Sequence, residues 1–312
     1  MSPAPSGARS RRRETPCLGG FTAPHPASPS SVPGDHPDPW RNIDGQPKPA
    51  QLVQSLEVRG RTPAQVRLRR RFLRFVPVRA GERVLEVGCG SGVVVRDLAA
   101  LVGPRGEVVG IDPSRSMVQA ARALARTHAL RRRMRWRVAP GAALPFADGR
   151  FDATLAVTVL LHVADPEAVV REMVRVTRPG GRVAVQDQDF GTVAVTHPDR
   201  ALTERIMWGV ATRMYEEPHS GRRLPALLRA AGLEGIRLLT DVFQDTTLEP
   251  FAKSFLERRA ANAVSFGIVD ASAAQKWLDG FTELVALGDF VLTFNYYGAV
   301  GVKPHGASGK GR

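Results

Sequence analysis

The stretch Arg83-Val84-Leu85-Glu86-Val87-Gly88-Cys89-Gly90-Ser91-Gly92 decides the fold of this 312-residue chain. It reads as a buried strand ending in an acid, then a turn with glycine at every second position, then a helix. Glycine lacks a Cβ, so such a turn lets backbone approach a ligand closely and reach unusual φ/ψ values. Glu86, at the strand end, can accept hydrogen bonds from an ammonium. A second strand, residues 107–111, delivers Asp112 about 20 residues after the last glycine, where a βαβ nucleotide unit keeps its ribose-binding acid. The set suits a cofactor with a cationic amino group and a ribose. A dinucleotide fingerprint needs a third glycine at position 93 or 95, and both are valine, Val93 and Val95.

The alternation continues outward from this unit. Ser114 is a good N-cap for a helix reaching about Leu130. Residues 134–138 read as a third strand and residues 151–160 as a fourth, apolar enough to be buried. Pro166 opens a helix with Val169, Val170, Met173 and Val174 on one face, and residues 182–186 form a fifth strand. Strands alternating with helices imply a parallel sheet covered on both faces. Helices follow at 201–214 and 224–231, then a strand at 236–243, a helical insertion at 248–287 and a last strand at 290–302. Upstream, two helices split at Pro63 occupy residues 50–76. The expected fold is α/β: a doubly wound, Rossmann-like, seven-stranded sheet with an antiparallel last strand, plus a helical lid from the N-terminal helices and the insertion. Residues 50–304 form a single domain, with a cofactor-binding core at 81–190 and a substrate half at 191–304. Residues 1–45, rich in Pro, Ser, Gly and Arg without apolar periodicity, are expected to be disordered.

A hydrophobic content of 43% and a mean hydropathy of −0.16 are ordinary for a globular protein. No apolar run approaches the ~20 residues of a membrane span, and no apolar segment follows the basic start to make a secretory signal. The two cysteines, Cys17 and Cys89, form neither a disulfide framework nor a metal-ligand cluster. A cytoplasmic location and no bound metal follow as expectations. The net charge of +14 would attract anions such as nucleic acid. Its densest run, Arg131-Arg132-Arg133-Met134-Arg135-Trp136-Arg137, reads more simply as the solvated lead-in to a strand.

The E-x-G-x-G-x-G loop with Asp112 resembles the class I S-adenosylmethionine-dependent methyltransferases. Two further segments narrow the resemblance to the group that acts in ubiquinone and menaquinone biosynthesis. Leu144-Pro145-Phe146-Ala147-Asp148-Gly149-Arg150-Phe151-Asp152 resembles that group's approach to the fourth strand, and Arg178-Pro179-Gly180-Gly181-Arg182 its turn before the fifth. The resemblance implies S-adenosylmethionine as cofactor and a small-molecule methyl acceptor. It implies that Gly88, Cys89, Gly90 and Gly92 shape the loop around the methionine part, and that Glu86 meets the ammonium directly or through water. Asp112 would accept both ribose hydroxyls, with Pro113 or Met117 bordering the adenine. Where the family often has an acid for the adenine amino group this chain has Pro140, so recognition there falls to the backbone near Gly141 and Ala142.

Methyl transfer from a sulfonium needs a positioned nucleophile and, where the nucleophile carries a proton, a base. Candidates sit at the C-terminal strand ends. His162 follows the fourth strand and is expected near the transferred methyl, while Asp187 and Asp189 follow the fifth and His197 precedes the next helix. Tyr215, Glu216, His219 and Arg222 make a further polar cluster. An Asn/Asp-Pro-Pro-aromatic motif for base amines is replaced by Leu160-Leu161-His162-Val163, and cytosine C5 chemistry would have only Cys17 to use. An RNA methyltransferase steered by charge and a non-catalytic cofactor-binding protein are the alternatives. No RNA-binding module accompanies the charge, so nucleic acid is not the expected partner, and the sequence sets no oligomeric state.

Overall fold

In β1 (Arg83–Val87) the period-2 alternation of a strand sends Val84 to one face of the sheet and Leu85 and Val87 to the other. The computed structural model describes residues 37–305. Beside β1 lie β2 (Glu107–Asp112) and β3 (Met134–Val138) on one side, and β4 (Phe151–Val157) and β5 (Thr177–Val195) on the other. Then come β7 (Leu292–Val302) and β6 (Glu234–Asp245), giving the order β3-β2-β1-β4-β5-β7-β6. The first five strands are parallel, and β7 runs antiparallel to both neighbours. The expected topology is therefore present in full.

Helices cover both faces. α3 (Val93–Val102) packs Val94, Val95 and Leu98 on the Val84 face. α5 (Pro166–Val176) packs Val169, Val170 and Met173 on the Leu85 face. Between them in sequence lies α4 (Arg115–Leu124), whose N-cap Ser114 accepts from the Met117 N–H. Asp165 caps α5 in the same way, ahead of Pro166 in the first turn, where a missing N–H costs nothing. Arg178–Gly181, read as a break before the fifth strand, is instead absorbed into β5 as an irregularity in its pairing with β4.

Two further helices pack on the sheet as well: α2 (Pro63–Phe75) sets Phe72 and Leu73 on the Val84 face, and α7 (Ser220–Ala230) sets Leu224 and Leu228 on the Leu85 face. The others are α1 (Pro49–Arg61), α6 (Arg200–Met214), α8 (Pro250–Ser265) and α9 (Ala271–Leu287). An aromatic-rich core joins α6, α8, α9 and β7, with Trp277, Phe281, Phe290 and Phe294 fully buried. The Trp277 indole N–H donates to Thr203 Oγ1 at 3.0 Å, so its polar edge is satisfied within that core.

One expectation needs correction. Residues 37–45 do not behave as a solvated tail: Asp38 and Ile43 are buried, and Asp44 docks on the start of α4. Its carboxylate accepts from Ser114 Oγ and from the N–H groups of Arg115 and Ser116. Partial burial raises its pKa, but these hydrogen bonds outweigh that and hold it at about 2. Composition hides such docking, because one buried Ile and two placed Asp residues leave no periodic pattern. Residues 1–36, also read as tail, lie outside the described residues.

Candidate active site

β1 and β4 are neighbours whose following helices cover opposite faces, which opens a crevice at their C-terminal ends. The glycine loop fills one lip of it. Gly88, Gly90 and Gly92 have φ of +68°, +49° and +81°, values that L side chains rarely adopt. A Cβ on Gly90 would come within 2.6 Å of Leu56 Cδ1, so α1 closes directly over the loop. The contact is clamped: Glu57 accepts from Ser91 Oγ at 2.7 Å and from Arg96 Nη2 at 2.8 and 3.0 Å.

A cavity of about 670 Å³ extends from this loop toward α8, within the size range of ligand sites. Glu86, Gly88, Cys89, Gly90, Asp112, Pro113 and Gly141 line it, as the sequence leads one to expect. Gly92 acts as the left-handed N-cap of α3 instead. Met117 is fully buried and Ala142 exposed, and neither lines the cavity.

Glu86 is 2% exposed and its Oε2 has no hydrogen-bond partner. Burial, reinforced by the Asp112 charge, holds its pKa well above the ordinary carboxylate range. Such a group awaits a cation: a bound ammonium would restore the ionised form. Asp112 accepts from Gly90 N–H through Oδ2 and from Ser114 N–H through Oδ1, both at 2.9 Å. Burial raises its pKa against these two bonds. Each oxygen has a further lone pair for a hydroxyl donor. An orphaned acid for an ammonium, a paired acid for hydroxyls and a glycine cradle fit S-adenosylmethionine.

His162 also lines the cavity, with Nδ1 2.6 Å from Asp38 Oδ2. An ionised carboxylate only accepts, so the neutral ring carries its proton on Nδ1 and keeps a lone pair on Nε2. Tyr215 packs edge-on against His162 at 5.6 Å and lines the cavity too.

Asp187 and Asp189 do not reach the cavity. Alternation along β5 points Gln186, Gln188 and Phe190 into it and the two carboxylates toward α7. Asp187 Oδ2 accepts from Ser220 Oγ at 2.8 Å and Leu161 N–H at 3.1 Å, while burial pushes its pKa up to about 7. Asp189 is held by both Nε and Nη2 of Arg222 and by His219 Nδ1, so half of the polar cluster read from the sequence serves that ion pair. His197 is no site residue either. Its Nδ1 accepts from Asp199 N–H, leaving Nε2–H to donate to the Trp277 carbonyl at 3.1 Å.

Sequence reasoning missed several cavity residues. Gln186 is 3% exposed and its Nε2 has no partner. Thr158 lines the cavity with φ +55°, an outlying conformation for a β-branched residue, and takes a bond from Arg59 Nη1. On α8, Phe251 and Phe255, two aromatics that the sequence of the insertion does offer for an apolar pocket, line the cavity beside Arg258, Arg259 and Asn262. Their spacing of i, i+4, i+7, i+8 and i+11 puts them on one helix face, a legible signal that their mixed chemistry disguised. The arginine run at 131–137 is spent locally in part: Arg135 bonds the Arg132 carbonyl and Arg137 the Pro145 carbonyl.

Residues 85–185 match the family described as a methyltransferase domain. A protein of transposon TN4556 from Streptomyces fradiae is 33% identical over 228 residues, 72% of this chain and 64% of that one. The ubiquinone/menaquinone biosynthesis C-methyltransferase UbiE of Hahella chejuensis is 40% identical over 108 residues, 35% of this chain and 43% of that one. The chain spans 64% and 58% of the first two curated relatives it matches. The crystal structure of YcgJ from Bacillus subtilis superimposes with a TM-score of 0.51 at 20% identity, covering 75% of this chain and 97% of that one, and shares the fold. Residues 85–185 thus carry a methyltransferase domain, and the sheet order and glycine loop around it resemble those of the class I S-adenosylmethionine-dependent methyltransferases.

Proposed function

We propose that the protein transfers the methyl group of S-adenosylmethionine to a small-molecule acceptor held in the same cavity, in the cytoplasm. The observation that carries the reading is the continuity of that cavity, which joins the unpartnered Glu86 oxygen at the glycine loop to the aromatic wall of Phe190, Phe251 and Phe255. Its enclosure by α1, α8 and residues 37–46 supports a small acceptor rather than a polymer. The likeness to a protein named for quinone biosynthesis supports an acceptor with an apolar body.

The cofactor supplies an electrophilic methyl on a sulfonium centre. When the cofactor is bound, Glu86 would hold its ammonium and Asp112 its ribose hydroxyls, with Pro113 and Gly141 beside the adenine. α1 and α8 exclude water and hold the acceptor in line, which is most of what this displacement requires. His162 Nε2 takes the proton when the acceptor atom carries one, and Asp38 fixes the ring that does so. Incubation of the full chain with S-adenosylmethionine and a panel of quinols, phenols, amines and activated carbon acids tests this, with S-adenosylhomocysteine formation as the readout. Acceptor-dependent turnover is expected. Turnover with RNA alone, or cofactor bound and never consumed, would sink the proposal.

A further inference from the structure

Arg259 is 3% exposed, yet among the described residues no carboxylate pairs with it. Its guanidinium carbon lies 4.5 Å from the Phe190 ring centre, 5.0 Å from Phe255 and 5.6 Å from Tyr215. Ring faces stabilise the cation and the Tyr215 hydroxyl accepts a hydrogen bond from it, but these contacts do not satisfy every N–H of the guanidinium edge. Nη1 has no partner at all, although the residue lines the cavity. A buried charge of this kind is costly unless something completes it.

Four more arginines line the same cavity: Arg41 and Arg69 pair with Glu216 and Asp97, whereas Arg59 on α1 and the solvent-exposed Arg258 on α8 have no carboxylate partner among the described residues. Gln186 adds a second orphaned donor in its Nε2. The cavity is thus electrically divided. At the glycine loop Glu86 calls for a cation and Asp112 for hydroxyls, whereas the arginine wall and Gln186 call for an anionic oxygen.

We infer that the methyl acceptor carries a carboxylate on an apolar body, and that Arg259 binds this group as its recognition handle. A planar carboxylate matches the guanidinium fork, and in a dry cavity such a charge-assisted pair is strong. The handle is not the methylated atom, because an ion pair with arginine stabilises the oxyanion and weakens it as a nucleophile. The inference rests on the cofactor reading above and narrows its acceptor.

The test is calorimetric titration of the full chain, saturated with S-adenosylhomocysteine, by benzoate, 2-naphthoate and octanoate, each beside its primary amide. At least one acid is expected to bind ten-fold or more tightly than its amide. Arg259→Met should remove that preference, and Arg259→Lys should keep part of it. Acids binding no better than amides in the wild type overturn the inference whether or not the variants fold. A preference that survives in folded Arg259→Met overturns it too. Failure of S-adenosylhomocysteine to bind at the saturation step would instead defeat the cofactor reading, so the two failures are separable.

Discussion

His162 Nδ1 lies 2.6 Å from Asp38 Oδ2, and that carboxylate, 1% exposed, belongs to a stretch whose composition suggests a solvated tail. The pair leaves Nε2, on a ring that lines the cavity, as the free acceptor. If Nε2 is the base, His162→Gln should lower kcat by about 10²–10⁴-fold with a proton-bearing acceptor. Asp38→Asn should lower it less, and the double variant should cost little more than His162→Gln alone. Affinity for S-adenosylhomocysteine should not move in any of them. Unchanged kcat in both single variants would reduce the pair to packing.

Glu86 sets a proton linkage. Its pKa is raised in the free protein by burial and by Asp112, and an ammonium partner lowers it again. Binding therefore releases a proton in the pH window between the lowered pKa of the bound state and the raised one of the free state. Affinity for S-adenosylhomocysteine should weaken as pH falls, and titrations in buffers of different ionisation enthalpy should reveal the released proton. A pH-independent affinity with no proton release would contradict the assignment.

Asp187 has the opposite consequence, on stability alone. Burial raises its pKa to about 7, against roughly 3.9 for a free side chain. The folded state thus holds a proton that the unfolded state has released. This contribution is fully present below pH ~4 and is lost as pH rises through about 7. Thermal melts from pH 5 to 8 should show Asp187→Asn gaining on the wild type as pH rises. A pH-independent difference would remove Asp187 from the linkage.

Trp277 tests the aromatic core behind the cavity. It is fully buried against Phe281 and bonded to Thr203, and it does not line the cavity. Trp277→Ala should destabilise the fold by about 3–5 kcal/mol in denaturant melts. The folded fraction should keep its cofactor affinity.

The seven strands and nearly every helix were legible because β1, β2, β4 and β5 carry apolar runs set off by turns and helices, which is pattern information. The cofactor lip was legible because glycine spacing and Asp112 obey local geometry. The acceptor side was not. Asp187 and Asp189 looked like site residues because they end a strand, but which face they take depends on a register that sequence spacing alone does not set. Gln186 and Gln188 face the cavity by the same parity. Arg259 resembles any surface arginine until Phe190, more than sixty residues earlier, is brought against it. His197 looked chemical but bonds the Asp199 N–H and the Trp277 carbonyl, the second of which is remote in sequence.

Calorimetric titration of the wild type and Glu86→Gln with S-adenosylhomocysteine, with NADH as control, bears most directly on the cofactor site. Replacing a buried, unpartnered acid with its neutral isostere should not lower the melting temperature, so the variant isolates binding. The wild type should bind S-adenosylhomocysteine in the micromolar range and ignore NADH, and Glu86→Gln should bind it at least ten-fold more weakly. Equal binding by the variant, or a wild type that binds NADH instead, would contradict the assignment of this cavity to S-adenosylmethionine.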